Sequence, residues 1–277
     1  MFEGDSRTRI GTSSWSEKSW VGSFYPQDTA PAEFLGHYSS RYDTVEIDST
    51  FYATPRDFTV KNWRRRTPDH FLFTAKVPRE ITHERVLVDS REAMEIFVES
   101  MQWLGDKLGP LLLQFPYFNR QAFTGPAPFL RRLEEFLPHF TREVNLVVEV
   151  RNPNWIHQNL VDVVEGCGAT LAWVDQGWMP RADEWLERLG DPRGQQGYFR
   201  FLGDRKETEA LTTTWDQQVL DPTERLQPWV EIMKSFRDSG GDVFGFFNNH
   251  YAGHAPATLE DFRTLWLEDH SSSSSGE

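Results

Sequence analysis

Short apolar runs alternate with amphipathic stretches along this chain, and that alternation constrains its fold more than any other feature. Eight runs have the length and composition of buried β-strands, at residues 9–15, 44–51, 71–77, 110–115, 144–151, 170–175, 198–202 and 243–248. Between them, apolar residues recur at helical spacing, as at Ala93, Phe97 and Met101. The pattern therefore predicts helices over residues 31–42, 91–108, 129–137, 159–166, 226–238 and 258–267.

Alternating strands and helices predict a parallel sheet, because strand–helix–strand crossovers are right-handed and place the strands side by side. Eight strands in a chain of 277 residues match the α/β class and a single (β/α)8 TIM barrel. A doubly wound sheet is the alternative, but residues 11–16 lack the glycine fingerprint of its dinucleotide-binding form. The sequence therefore shows no nicotinamide or flavin signature.

One barrel domain is predicted over residues 9–267, after a short lead segment at 1–8. Residues 268–277 contain five serines and a glycine and are expected to form a disordered tail. The single cysteine, Cys167, is typical of a reducing compartment. No apolar segment resembles a signal peptide or a membrane span, so we expect a cytoplasmic protein with no membrane partner. The oligomeric state is left open.

Strand alternation points to charged residues inside the barrel. In residues 144–151 the apolar side chains share one parity, which must face the helices, while Glu149 and Arg151 share the other. The same argument turns a further set inward: Glu46, Asp48, Thr50, Thr74, Lys76, Gln114, Trp173, Asp175 and Arg200. The eighth strand is apolar on both parities, so its facing is ambiguous.

Most of these polar residues come late in their strands, and barrel active sites lie at the carboxyl ends of the strands. An ion-pair network that only fills the barrel is one interpretation. A functional pocket is favoured, because so many inward ionisable groups exceed what packing requires. We assign catalytic roles to Glu46, Lys76, Glu149 and His83. Substrate binding is assigned to Arg151, Arg200, Gln114, Trp173, Asp175, Asn248 and Asn249.

A divalent metal is an open alternative, since hard cations prefer oxygen ligands. Its ligands would be Glu46, Asp48 and Glu149, although nearby lysine and arginine side chains would compete for them. The pair His250 and His254 has the spacing of a helical metal site but lies in a predicted loop.

A nucleic-acid partner is also possible on composition, despite a net charge of −13 that disfavours broad non-specific binding. Arg64, Arg65 and Arg66 form a basic run next to Trp63, with Arg56 upstream. Aromatic residues at strand ends offer stacking faces for sugars or bases, namely Trp15, Trp20, Tyr52, Trp155 and Trp173.

Several segments resemble the YecE-like family, domain of unknown function 72, over about residues 8–266. They include residues 11–15, 44–52, 113–116, 149–151 and 247–249. The resemblance implies a TIM-type barrel and a shared polar patch, without an established reaction. That patch maps onto Glu46, Lys76, His83, Gln114, Glu149, Arg151, Arg200 and Asn248. This chain departs from the family pattern at Asp48, Asn152, Leu202 and His250, where two expected histidines are missing.

Together these observations predict an enzyme that acts on a small anionic or phosphate-bearing substrate at the carboxyl-terminal barrel face by acid–base chemistry. A hydrolase, lyase or isomerase reaction would each fit. The alternative is a non-catalytic nucleic-acid or nucleotide-binding protein.

Overall fold

Eight parallel strands form one sheet that curls into a barrel, in the order β1-β8-β7-β6-β5-β4-β3-β2. The computed structural model describes residues 7–191 and 194–272. The strands are β1 (Thr8–Thr12), β2 (Thr44–Ile47), β3 (Leu72–Lys76), β4 (Leu108–Gln114), β5 (Leu146–Glu149), β6 (Thr170–Gln176), β7 (Gln196–Gly203) and β8 (Asp242–Phe247). This architecture confirms the predicted (β/α)8 barrel. Several strands end earlier than predicted, because the residues at their carboxyl ends turn into loops.

Helices cover the outside of the sheet. They are α1 (Phe34–Arg41), α2 (Asp57–Arg65), α3 (Arg91–Gln102), α4 (Pro126–Phe136), α5 (Gln158–Gly166), α6 (Ala182–Leu189), α7 (Arg205–Leu211), α8 (Thr223–Asp238) and α9 (Ala255–Ser272). The apolar pattern missed α2, α6 and α7, which have nine, eight and seven residues and are too short to show a clear period. Within the described residues, no helix combines the length and apolar character needed to cross a lipid bilayer. The cytoplasmic location stays a prediction.

The carboxyl-terminal boundary differs from the prediction. Helix α9 continues through Ser272, so residues 268–272 are not the disordered tail that the serine run suggested. Leu259, Phe262 and Trp266 are buried against the barrel and anchor the helix. Serine tolerates a helix that is anchored in this way. The rest of the predicted tail, 273–277, and most of the predicted lead segment, 1–6, lie outside the described residues.

Ring contacts show which side chains of strand β8 face the barrel interior, a point that the sequence left ambiguous. Phe244 and Phe246 face the barrel interior, where their rings lie 6.2 and 5.2 Å from that of Tyr198. Phe247 faces outward and stacks on Phe201 at 4.4 Å, with Phe262 of α9 beside it. The barrel therefore has an aromatic plug inside and an apolar layer between the sheet and the helices.

The barrel closes at a seam between β1 and β2, where the described strands form no ladder. The Tyr38 hydroxyl of α1 bridges the gap: it accepts from the Thr12 backbone N–H at 2.9 Å and donates to the Thr44 carbonyl at 3.1 Å. Gly11 permits the close approach, since a Cβ there would lie 2.2 Å from the Thr44 oxygen. One side-chain hydroxyl thus takes the place of a missing ladder bond.

Replacement of Tyr38 by phenylalanine should lower the free energy of unfolding by about 1–3 kcal/mol, because two buried backbone groups lose their partner. Urea denaturation measures the change. Tyr42→Phe is the matched control, since its hydroxyl makes only long contacts, 3.4 Å to Glu260 and 3.5 Å to Pro256. Equal losses in the two variants would contradict the bridging role.

Candidate functional site

Arg200 on β7 lies at the centre of the barrel interior. Its Nε and Nη2 atoms donate to the Glu46 carboxylate of β2, at 2.9 and 2.6 Å. Its Nη1 atom donates to the Glu149 carboxylate of β5 at 2.6 Å. Arg200 is 2% exposed and both glutamates are fully buried. The structure therefore brings together three of the residues that strand alternation predicted, as a buried ion-pair triad.

Two arginines keep Glu149 ionised. Burial alone would raise its pKa, but the guanidinium groups of Arg151 and Arg200 outweigh burial and lower the pKa to about 2. Burial would likewise lower the pKa of Arg200, and the two carboxylates instead hold that pKa well above its usual range. Glu149 and Arg200 are therefore both charged at neutral pH.

Tyr198 completes the surroundings of Glu46. Its hydroxyl donates to the second carboxylate oxygen at 2.8 Å and lies 3.1 Å from the Thr74 hydroxyl. Burial and the Glu46 charge raise the pKa of Tyr198 well above its ordinary value. Sequence reasoning missed Tyr198, although it shares the parity of Arg200 two residues away on the same strand.

The oxygens of both glutamates are thus engaged by arginine or tyrosine donors. A fully buried carboxylate with a pKa of about 2, like that of Glu149, is a poor proton carrier at neutral pH. The geometry suits Glu46 and Glu149 to positioning arginines, rather than to the acid–base role expected from the sequence.

Arg151 leads from the triad to the mouth of the barrel. Its Nε donates to the free oxygen of Glu149, and its Nη1 donates to the Gln176 side chain at 2.6 Å. The Arg151 side chain is 14% exposed, whereas Glu149 beneath it is buried. Two fixed acceptors therefore orient a guanidinium whose Nη2 atom has no partner among the described residues.

Lys76, the last residue of β3, places a second cation at the mouth. Its Nζ lies 3.2 Å from an oxygen of Asp48 and 4.0 Å from the centre of the Phe51 ring. Burial lowers the pKa of Lys76, and Asp48 partly opposes that effect. The Asp48 side chain is 42% exposed, so this ion pair opens to solvent on one side.

His83 stands beside Lys76, in a π-helical turn over Glu80–Glu84. Its ring packs edge-on against Phe51 at 4.9 Å, and its Nδ1 lies 2.9 Å from the Thr82 hydroxyl. Burial lowers the pKa of His83 to about 4, helped by the positive charges of Lys76 and others. The imidazole is therefore neutral at physiological pH, and its Nε2 has no partner among the described residues.

The amide side chains that were assigned to substrate binding, those of Gln114, Asn248 and Asn249, each make hydrogen bonds within the protein. Gln114 pairs in register with Glu149, and its amide donates to the Phe115 carbonyl at 2.6 Å. Asn248 accepts from the backbone and the ring of His250, at 3.0 and 2.7 Å. Asn249 accepts from Trp20 and from the first residue of α9, which gives it a structural role at the helix start.

Trp173 and Asp175 do not face the barrel interior, so the inward orientation on which their assignment to substrate binding rested was wrong. The Trp173 ring packs among the helix-facing aromatics, 6.5 Å from Trp229 of α8. Asp175 accepts from Arg225 at 2.9 Å, from Trp229 at 3.0 Å and from Tyr251 at 2.6 Å. The error has a physical reason: β6 is apolar on both parities, and the partners of Asp175 come from distant elements. The inward polar residue of β6 is Gln176.

The three carboxylates suggested as ligands of a divalent metal, those of Glu46, Asp48 and Glu149, are not arranged as a metal site. Arg200 and Arg151 bind the carboxylates of Glu46 and Glu149, and Lys76 binds Asp48. Across residues 7–191 and 194–272, no three acidic, histidine or cysteine side chains lie together as metal ligands. The His250 and His254 rings also have separate partners, Asn248 and Ser23.

The predicted aromatic stacking faces are mostly used for packing. Trp20, Trp155 and Trp173 are buried, while Trp15 packs against Trp63 at 5.6 Å. Tyr52 is 71% exposed in the loop after β2. The loops after β4 and β6 add two exposed rings that the sequence reading missed, Tyr117 and Trp178. The sequence could have indicated these two rings, because each lies just beyond a strand that ends at the mouth.

The departures from the family pattern fall outside the triad. Asn152 is bonded to both backbone groups of Phe118 and so clamps the loop after β4. His250 contacts Glu209 at 3.2 Å, and Leu202 is buried. In the described part of the chain, none of these three residues makes a hydrogen bond or ion pair with Glu46, Glu149 or Arg200.

Fold and site together define a single-domain (β/α)8 barrel with a buried Arg–Glu network below a cationic mouth. A family model described as "Protein of unknown function DUF72" matches residues 9–275. The chain belongs to this family, which confirms the resemblance seen in the sequence.

Relatives and solved structures agree with this assignment. The UPF0759 protein YunF of Bacillus subtilis (strain 168) is 26% identical over 268 residues, covering 89% of this chain and 90% of the relative. The UPF0759 protein YecE of Escherichia coli (strain K12) is 32% identical over 146 residues, which are 53% of this chain and about half of YecE, 49%.

A DUF72 family protein from Thermotoga maritima MSB8 has a similar crystal structure, with a TM-score of 0.69 and 26% identity. The match covers 93% of this chain and 98% of that one. A second DUF72 family protein, from Enterococcus faecalis V583, has a TM-score of 0.70 at 19% identity, with 94% and 95% coverage, and supports the fold alone.

Substitution of Glu149 by glutamine should lower the free energy of unfolding at pH 7 by about 3–5 kcal/mol, because it leaves buried guanidinium charge uncompensated. The folded-state pKa of Glu149, about 2, lies below the ordinary value of 4.5. Its stabilisation is therefore complete above pH 4.5 and is lost as the pH falls toward 2.

Urea denaturation of the wild type and of Glu149→Gln at pH 7, 4.5 and 3 measures this effect. The gap between their free energies of unfolding should narrow only below pH 4.5. The exposed Glu135 on α4 provides the control Glu135→Gln, which should change stability little at any pH. A gap that stays constant down to pH 3 would show that Glu149 is not the titrating group.

Proposed function

We propose that this protein is an enzyme that binds a small anionic or phosphate-bearing substrate at the carboxyl-terminal mouth of the barrel. One observation carries the proposal: Arg151 and Lys76 both reach the mouth, and the carboxylate of Glu149 that pairs with Arg151 is buried beneath it, while Asp48 is the exposed partner of Lys76. Barrel active sites occupy this face of the fold.

Arg151 is suited to hold an anion in a fixed orientation. Its Nε and Nη1 atoms are held by Glu149 and Gln176, which leaves Nη2 for a ligand. A guanidinium that is already oriented loses little freedom on binding, and arginine matches the geometry of phosphate and carboxylate groups. Lys76 adds a second charge with donors beyond the one that faces Asp48.

His83 is the best-placed proton acceptor. Its Nδ1 lies beside the Thr82 hydroxyl, so Nε2 is left to face a ligand. An anion bound to Lys76 and Arg151 would reduce the positive field that lowers the pKa of His83. Substrate binding would thereby raise the basicity of the imidazole at the moment when a base is required.

Inorganic phosphate should raise both the melting temperature of the protein and the pKa of His83. A ligand at one hundred times its dissociation constant adds about 2.7 kcal/mol of stability. Thermal denaturation and NMR titration of the His83 ring, each with and without phosphate, measure the two effects. Potassium chloride at equal ionic strength controls for salt.

The variant Arg151→Met should lose the thermal response, whereas Arg131→Met, at an exposed site on α4, should keep it. A phosphate response no larger than that of chloride would overturn the proposal.

A groove on the outside of the barrel supports a second candidate, single-stranded nucleic-acid binding. The groove has a volume of about 910 Å³ and is lined by Phe58, Lys61, Arg64, Arg65, Thr67, Asp69, Trp103, Asp106 and Lys107. Phe58 is an exposed ring on which a base can stack, whereas the Nζ of Lys61 lies 3.3 Å from the centre of the exposed Trp103 ring and covers one of its faces. Four cations line the groove, of which Lys107 is buried and the other three can meet phosphates. Trp63 is turned toward the barrel, 6.4 Å from Phe73, and takes no part.

If this groove binds nucleic acid, a fluorescent single-stranded oligonucleotide should bind with an affinity that falls steeply as salt rises. Fluorescence anisotropy measures the affinity. The double change Arg64→Ala with Arg65→Ala should weaken binding at least tenfold, while Arg131→Ala should not. Binding that is absent, or indifferent to salt, would exclude this candidate.

A further inference from the structure

Ser13 carries a buried hydroxyl to which no described residue forms a hydrogen bond. Ser13 follows the last residue of β1 and is only 4% exposed. Its backbone N–H donates to the Phe247 carbonyl at 2.9 Å, but its Oγ has no hydrogen-bond partner among the described residues. A buried, unpaired hydroxyl costs free energy, so its presence calls for an explanation.

Strand alternation aims this hydroxyl into the mouth of the barrel. Thr12 faces outward, because its hydroxyl meets Tyr38 of α1, and Ile10 lies on the same outer side next to Met233. Gly11 and Ser13 therefore share the inner side. Ser13 lies one residue past the end of β1 but continues its pairing with β8 through the bond to Phe247, which places it on the inner side at the carboxyl end of the strand.

Asn248 supplies a second neutral donor at the same level. Thr12 and Phe247 are paired in register, so the next residues of the two chains, Ser13 and Asn248, are neighbours. The Asn248 carbonyl oxygen is used by His250, while its amide nitrogen has no partner in the described part of the chain. The β1–β8 side of the mouth thus offers a hydroxyl and an amide, both uncharged.

We propose that the substrate is a polyhydroxylated anion, a sugar phosphate or a sugar acid, whose hydroxyl groups bind Ser13 and Asn248 while its anionic group binds Arg151 and Lys76. This inference rests on the proposed anion site. A simple anion would satisfy the cations and leave the neutral donors empty. The exposed rings of Tyr52, Tyr117 and Trp178, in the loops around the mouth, add stacking faces for a sugar ring.

Isothermal titration calorimetry with four probes tests the assignment: inorganic phosphate, glucose 6-phosphate, glucuronate and glucose. We expect glucose 6-phosphate or glucuronate to bind at least tenfold more tightly than phosphate, with glucose weakest. The tighter of the two sugar anions identifies the acidic group. The variant Ser13→Ala should lose about fivefold to tenfold in affinity for that sugar anion and keep its affinity for phosphate.

Ser14→Ala is the matched control, because the Ser14 hydroxyl already interacts with the backbone and the hydroxyl of Ser16. Thermal denaturation adds a second readout: Ser13→Ala should melt at the same or a higher temperature, since it removes an unsatisfied group. If phosphate binds but the sugar anions bind no better, or Ser13→Ala binds them like the wild type, the inference fails alone. If phosphate itself does not bind, the proposed function fails with it.

Discussion

The guanidinium of Arg200 is the interaction on which the rest of the site depends. It joins carboxylates from β2 and β5, neither of which neighbours β7 in the sheet, and so ties three parts of the barrel interior together. Desolvation of such charges is costly, and it is offset here only because almost every donor and acceptor is matched. Glu149, fixed from below by Arg200, in turn fixes Arg151 above. The buried charges therefore fix the position of Arg151 at the mouth of the barrel.

This arrangement separates part of the charge by depth. The carboxylates of Glu46 and Glu149 are buried, while Arg151 above them is 14% exposed and Lys76 pairs with Asp48, whose carboxylate is 42% exposed. Arg151 is therefore the cation at the mouth whose own carboxylate partner is hidden from a ligand, even in a chain with a net charge of −13. Charges on the outer helices are screened within about 8–10 Å at physiological salt, so the groups at the mouth dominate what a bound anion experiences.

The sequence predicted the fold and the charged centre because β2, β3, β5 and β7 each carry one apolar parity that must face the helices. The same rule failed on β6, whose two parities are both apolar, so that Asp175 was assigned to the wrong side. Its outward position is stabilised by Arg225 and Tyr251, which lie 50 and 76 residues further along the chain. Alternation within one strand cannot reveal such partners. Nor could it show that Ser13 lacks a partner, since that depends on every neighbour at once.

The seam at Tyr38 has a consequence for how the chain is made. The strand β1 pairs with β8, from Thr8 beside Val243 to Thr12 beside Phe247, so the first strand of the barrel in chain order pairs with the eighth. On its other side it is held to β2 by the hydroxyl of Tyr38 rather than by a ladder. Until β8 has been synthesised, β1 therefore lacks its ladder partner in the described barrel. The edges of such an incomplete sheet are open to pairing with another nascent chain.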